Sequence, residues 1–421
     1  MTSYHAVSRA ERGAFLKVPS ADGIYAIVYM KHEGKEKRFF GYFLCVLGVL
    51  EALCFAGNLV TYYMFFELMT LSSFILVLHS ESRESIMASL KYMFFSMFGA
   101  YGVLFGIFVL NRYCSTLSFA AGGTLDRAAA SGHESILLLA VLLSIIGFGV
   151  KAGMLPFHAW LPTAHPVAPS PASAVLSAII AKFGVLGILR TVYFVAGTDF
   201  VKGTYVQTVW IVLAMLTVFM GSMLAFREKV FKKRLAYSTV SQVSYILLGL
   251  ALMTEQAFTG AMLHVAAHAM IKIGLFLTAG VFLYRFGFTR VEQLKGLGRK
   301  MPTLFWAYTF LALGLIGIPP TAGFVSKWYL ALGALDSGLP VISYLAPAVL
   351  LVSALLTAGY LLPITIDGFF KESDGEPIAG DVKLSAGMLI PIVFFAAATV
   401  CIGVFPGWTF SFIEKIVSTV F

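Results

Sequence analysis

Charge is scarce in this chain. Only 12% of its 421 residues are Asp, Glu, Lys or Arg, where a soluble domain carries about 25%. With 59% hydrophobic residues and a mean hydropathy of +0.87, soluble α/β readings are excluded. Cysteine is equally sparse. Cys45, Cys54, Cys114 and Cys401 are scattered through apolar segments with no paired metal-type spacing, which argues against a disulfide framework and against iron–sulfur ligation. A cleavable leader is not expected from residues 1–30, which carry charges but no clean apolar core followed by small residues.

What the chain does have is long apolar runs. Counting stretches of about 20 residues as spans predicts eleven transmembrane helices, at 38–57, 58–79, 88–111, 135–155, 171–197, 205–226, 235–253, 257–284, 303–332 (broken), 340–367 and 385–405. The chain therefore reads as an all-α polytopic membrane protein. The Gly/Ala/Ser-rich connection 112–134 reads as an exposed loop, and the connection 368–384 is the most acidic.

Basic residues set the expected orientation. The N-terminal tail and alternate connections hold Lys31, Lys35, Lys37, Arg38 and Arg83, then Arg227, Lys229, Lys232, Lys233 and Arg234. Arg285, Arg290, Lys295, Arg299, Lys300, Lys371 and Lys383 follow on the same side. The other side holds only Arg112, Arg127, Lys202 and Lys415. The positive-inside rule puts the rich side in the cytoplasm, so the N-terminus is expected inside and the C-terminus outside. The formal charge of +9 is thus read as a membrane-orientation signal, with no nucleic-acid partner implied.

Two apolar runs are interrupted in the same manner. FGVKAGMLPFHAWLPTAHPVAPSPASAVLSAIIAKFGVLGILR (148–190) breaks at Pro156, and FLALGLIGIPPTAGFVSKWYL (310–330) breaks at Pro319-Pro320. Proline removes a backbone donor, and such breaks persist at membrane depth only where the freed groups meet protein, polar side chains or water. Grouping the helices in fives puts Lys151 and Lys327 in the fourth helix of each group. Five is odd, so the groups insert with opposite orientation, the inverted-repeat plan of many transporters. The expected organisation is an N-terminal tail (1–37), a first repeat (38–197), a second repeat (198–367), and a loop with a final helix (368–421).

Ionisable groups inside the spans are few: Glu67, Lys151, Lys182, His264, His268, Lys272 and Lys327. A charged side chain at mid-membrane costs roughly 2.5–3.5 kcal/mol on insertion scales, so such residues usually face a wet or protein-lined interior and have a function. Desolvation eases a lysine's proton release, a nearby carboxylate opposes it, and histidine titrates near neutrality unaided. His264, His268 and Lys272 recur every four residues, which places them on one helical stripe. The set reads as a proton relay. Glu67 and Lys151 also admit a static ion pair between helices. His264 and His268 have metal-ligand spacing, but Val-Ala-Ala lies between them and the third polar group is a lysine, which disfavours a metal. His158 and His165 read as loop or capping residues. Lys91, Arg190 and Lys202 read as snorkelling residues near span ends. Tyr237, Ser238, Ser241, Gln242 and Tyr245 form a polar helix face that lines water or joins helices.

Four segments carry a family resemblance: PFHAWLPTAHPVAPSPASAVLSAIIAKFGVLGILR (156–190), LAYSTVSQVSYILLGLAL (235–252), HVAAHAMIKIGLFLTAG (264–280) and GIPPTAGFVSKWYL (317–330). Over about residues 25–420 the chain resembles the antiporter-like membrane subunits. These are the proton-pumping chains of respiratory complex I, with relatives in Mrp Na⁺/H⁺ antiporters and energy-converting hydrogenases. The resemblance implies that Glu67 and Lys151 match the family's glutamate–lysine pair. Lys182 matches the lysine of the next helix, His264 and His268, with Lys272 following, match the histidines of a later helix, and Lys327 matches the group of the second broken helix. It implies no cofactor in the chain itself, other membrane subunits as partners, H⁺ or Na⁺ as cargo, and a bacterial inner membrane. Family members usually have fourteen helices, so this chain is expected to begin at the fourth, and the long lateral helix of one complex I member is not expected. A metal-dependent membrane enzyme and a non-conducting structural subunit are the alternatives.

Overall fold

In the computed structural model, residues 21–372 and 384–421 are described. Lys383 and most of the acidic connection lie outside them. The main helices are α1 (21–33), α2 (Glu36–Phe55), α3 (Leu59–Val77), α4 (Arg83–Tyr113), α5 (Glu134–Ala152), α6 (Leu161–Val167) and α7 (Ser170–Ala196). There follow α8 (Tyr205–Arg227), α9 (Phe231–Leu252), α10 (Glu255–Phe286), α11 (Pro302–Ile316), α12 (Ala322–Leu335), α13 (Ile342–Phe370), α14 (Ala386–Val404) and α15 (Gly407–Val420). Among the described residues only isolated bridges occur and no strand. The chain is a polytopic all-α membrane protein. Among the described residues ten helices are long and apolar enough to span a bilayer. The eleventh expected span, 303–332, is present as the half-helices α11 and α12.

Both breaks are built alike. Gly153 ends α5 at φ 82°, and Gly317 ends α11 at φ 90°. That left-handed conformation is open to glycine and costly for residues with a Cβ. A proline follows three residues later in each case, and the Leu155–Pro156 and Pro319–Pro320 bonds are both cis. The chain then restarts as a short 3₁₀ turn and α6 in the first case, and as α12 in the second.

Burial divides the helices into a core and a wall. α7 is buried along its whole span and α9 almost entirely, while only a third of α13 and α14 is covered. The buried helices carry the polar side chains, as expected where lipid is the alternative environment. Packing is closest where side chains are smallest. A Cβ placed on Gly147 would lie 2.3 Å from the Gly99 carbonyl oxygen, and one on Gly99 would lie 2.5 Å from that of Gly147. α4 and α5 therefore meet backbone to backbone, the usual close approach of membrane helices at small residues.

One expectation is refined and one changes. The 112–134 connection is largely exposed, as expected, and it is also tethered. Ala120 and Thr124 donate backbone hydrogen bonds to the Phe194 and Val195 carbonyls, at 3.1 and 2.9 Å, so it is pinned over the end of α7. Arg190 does not snorkel. It is buried and donates to the carbonyls of Leu53 (2.9 Å), Cys54 (3.2 Å) and Ala56 (3.4 Å), beneath the rings of Tyr62 and Phe119. The last carbonyls of a helix have no intrahelical donor, and the Arg190 guanidinium supplies one to the end of α2.

Gly147→Val is expected to destabilise the fold by about 1–3 kcal/mol through overpacking against α4. Gly48→Ala, whose added methyl meets nothing within 4 Å, should be neutral or slightly stabilising. Thermal unfolding in detergent reads both; equal effects would contradict the α4–α5 contact.

Candidate functional site

Lys151 occupies the last turn of α5, where the break turns its side chain towards α3 and α4. Its Nζ donates to Thr70 Oγ1 (2.8 Å), Tyr92 OH (2.8 Å) and Ser96 Oγ (3.0 Å). Three donors thus meet three hydroxyls, the full capacity of a lysine ammonium. Ser73 Oγ lies 2.7 Å from Tyr92 OH and extends the cluster, and Nζ sits 4.4 Å from the Tyr92 ring centroid. Glu67, one turn before Thr70 on α3, is half-buried, and its Oε1 is buried with no partner. All three hydrogen bonds of Lys151 go to hydroxyls, so the expected Glu67–Lys151 pair is not closed in this structure.

The second cluster runs along the core axis. Residues Leu176–Ile180 of α7 form a wide π turn, a local loosening often found at functional positions. Lys182 follows it, and its Nζ reaches back to the Ser177 carbonyl at 2.8 Å. The same Nζ lies 2.6 Å from His268 Nδ1, which joins α7 to α10. One turn earlier on α10, the His264 ring lies 5.9 Å from that of His268, and its Nδ1 is 2.9 Å from Ser326 Oγ on α12. The Tyr245 ring stacks on His264 at 5.4 Å and sits 4.9 Å from Lys327 Nζ. Lys327 donates to the Leu315 and Ile316 carbonyls, at 2.6 and 2.9 Å, and so caps the open end of α11. From Lys182 through His268, His264 and Tyr245 to Lys327, each group touches the next.

Lys272 shares the α10 stripe but turns to α9, donating to the Leu235 carbonyl (2.8 Å) and to Ser238 Oγ. The structure does not bring Lys151 to Lys182 directly. α5 and α7 do pack together: a Cβ on Gly184 would lie 3.2 Å from the Lys151 Cβ. The two lysines nevertheless reach for different helices. His165, expected as a loop or capping residue, is fully buried on the Phe276 ring (4.7 Å) with neither ring nitrogen partnered.

Ion pairs lie in the connections and at helix ends: Lys35 and Arg38 on Glu81, Lys229 on Glu292, Lys233 on Glu228, and Lys371 on Asp367. There the hydrogen bond from Lys229 holds the Glu292 carboxyl below the ordinary carboxylate range. Among the described residues no three His, Cys, Asp or Glu side chains gather as a metal site. The Nδ1 atoms of His264 and His268 instead face a serine and a lysine. Chemically, the axis offers neighbouring nitrogens and hydroxyls between which a proton can pass, since a neutral imidazole accepts at one nitrogen and donates at the other.

The sequence reading missed Thr70, Tyr92, Ser96 and Ser326. Tyr92 and Ser96 are four residues apart on α4 and so share a face, a usable signal. Ser326 carried none beyond standing next to Lys327.

Comparison with known proteins places this geometry in context. The family model described as NADH:quinone oxidoreductase/Mrp antiporter, TM, matches residues 56–357. NADH-quinone oxidoreductase subunit N of Desulforudis audaxviator is 32% identical over 93% of this chain and 80% of its own length. Hydrogenase-4 component B of Escherichia coli is 30% identical over 91% of this chain, which spans 59% of it. A chain of the Mrp complex from Dietzia sp. superposes with a TM-score of 0.84 at 23% identity, covering 97% of this chain and 83% of that one; at that identity the likeness speaks for the fold.

Lys327→Met should remove two hydrogen bonds from the α11 end and cost about 1.5–3 kcal/mol of stability. Hydrogen exchange in α11 measures it, and unchanged protection there would contradict the capping role.

Proposed function

This chain belongs to the NADH:quinone oxidoreductase/Mrp antiporter family of transmembrane subunits, and on that premise we propose that it translocates protons through a membrane complex. The observation that carries the reading is the series Lys182, His268, His264, Tyr245 and Lys327, in which every neighbour is in hydrogen-bond or ring contact, with Ser326 hydrogen-bonded to His264 at its side. A purely structural set of lysines and histidines would have no reason to run head to tail across α7, α9, α10 and α12.

In this reading a proton taken up from the cytoplasm reaches Lys151, crosses through bridging water to Lys182, passes along His268 and His264, and leaves near Lys327. Lys272, on α10, stands beside the path and is bonded to α9. Glu67 gates it. With its Oε1 unpartnered on a half-buried flank, its approach to Lys151 would hold the proton there, and its withdrawal would release it. The two repeats, 38–197 and 198–367, are related by inversion. The matched Gly-x-x-Pro breaks at Gly153 and Gly317 support that relation. Other membrane subunits of a redox-driven or Mrp-type complex are its partners, in a bacterial inner membrane with the N-terminus cytoplasmic. The chain itself supplies no redox centre in this scheme.

Lys151→Ala or Glu67→Ala should slow proton translocation by the reconstituted complex at least about a hundredfold, the scale of losing a positioned acid–base group. The complex should remain assembled, and vesicle acidification is the measurement. Full pumping by Lys151→Ala would rule the relay out. Cysteines introduced at Lys35 and Lys229 should react with a membrane-impermeant thiol reagent only from the cytoplasmic side; labelling from outside would overturn the orientation.

A further inference from the structure

α9 carries a row of polar side chains, and almost all are accounted for by protein partners. Ser238 bonds to Lys272 and to the Leu235 carbonyl, Thr239 to Ser177, Ser241 to Ser222, Ser244 to the Val240 carbonyl, and Tyr245 to the Leu350 carbonyl. Gln242 differs. It is fully buried, and neither its Oε1 nor its Nε2 has a hydrogen-bond partner. A helix-joining glutamine would bond to the neighbouring helix, and this one does not.

Helix register shows where the amide stands. α9 and α10 are consecutive and antiparallel across the short turn at Met253–Thr254. Tyr245 is level with His264, and Ser238 is level with Lys272. Interpolating between those contacts puts Gln242 level with His268. At 100° per residue it also shares the general face of Ser238 and Tyr245, about 40° from the first and about 60° from the second. The nitrogens of His264 and His268 not engaged by Ser326 and Lys182, Nε2 in each ring, are likewise buried and without a protein partner. Four polar atoms on three side chains that the register sets at neighbouring levels of α9 and α10 are thus buried without a protein partner. Buried polar groups are satisfied by protein or by ordered water, and a buried water typically takes two to four such partners.

We propose that Gln242 is a positioning residue that holds water against His264 and His268. In this arrangement His268 receives a proton from Lys182 at Nδ1 and gives one up from Nε2. The water carries it to His264 Nε2, and His264 releases one at Nδ1 towards Ser326. No bond other than N–H and O–H is made or broken, and each ring ends the step in its other tautomer. The amide neither gains nor loses a proton; its carbonyl accepts from the water and its NH₂ donates to it. The inference rests on the transport reading given above.

The test uses the whole complex in vesicles. Gln242→Leu and Gln242→Met remove both amide atoms at similar size and should slow proton translocation by at least about tenfold. Thermal stability should be unchanged or higher, because an unpartnered buried amide is lost. Gln242→His, which keeps a donor and an acceptor, should restore the rate to within about threefold of wild type. Wild-type rates in Gln242→Leu or Gln242→Met would overturn the proposal, as would a Gln242→His variant as slow as Gln242→Leu. A wild-type complex that moves no protons at all would instead bring down the transport reading, and this inference with it.

Discussion

A backbone carbonyl inside a bilayer has no water to bond, so a helix that stops there must find a donor for its last turn. That constraint organises this protein. Lys327 donates to Leu315 and Ile316 at the end of α11, Trp160 Nε1 to the Val150 carbonyl near the end of α5 at 2.8 Å, and Arg190 to the end of α2. Each break in regular structure draws in a polar side chain that the apolar surroundings would otherwise exclude. The groups with the chemistry to move a proton are thereby held at fixed depth.

The same economy explains why α7, α9 and α10 form the centre. Lipid cannot satisfy Lys182, His264, His268 or Lys272, so the helices carrying them are enclosed by apolar ones, and the enclosed groups must then satisfy one another. Neutral partners dominate: hydroxyls around Lys151, a carbonyl and an imidazole around Lys182, carbonyls around Lys327. Glu67 stands at the half-buried edge of the Lys151 cluster, one turn from Thr70. A lysine held by dipoles rather than by a carboxylate is not locked by a strong ion pair, which leaves it free to exchange its proton.

The sequence was a good guide to helices because period and length are local properties. Ten of the eleven expected spans correspond to helices within a few residues, and the eleventh was expected as broken. It was a poorer guide to side-chain partners. Arg190 was expected to snorkel from its place near a span end, yet the chain folds the end of α2 across it. The Gly-rich 112–134 connection was expected as an exposed loop, and its backbone hydrogen bonds to Phe194 and Val195 could not be foreseen. Neither contact is visible in the local pattern, since each joins residues dozens of positions apart.

Composition, the two proline breaks and the positions of seven ionisable residues were settled by the amino-acid order alone. The bilayer penalises every buried charge, so only purposeful ones survive in an apolar run. Which of those residues meet was decided by tertiary packing. Lys182 with His268, His264 with Ser326 and Lys272 with Ser238 follow from how α7, α9, α10 and α12 are set against one another, and that arrangement depends on the volume and shape of side chains spread over the whole chain.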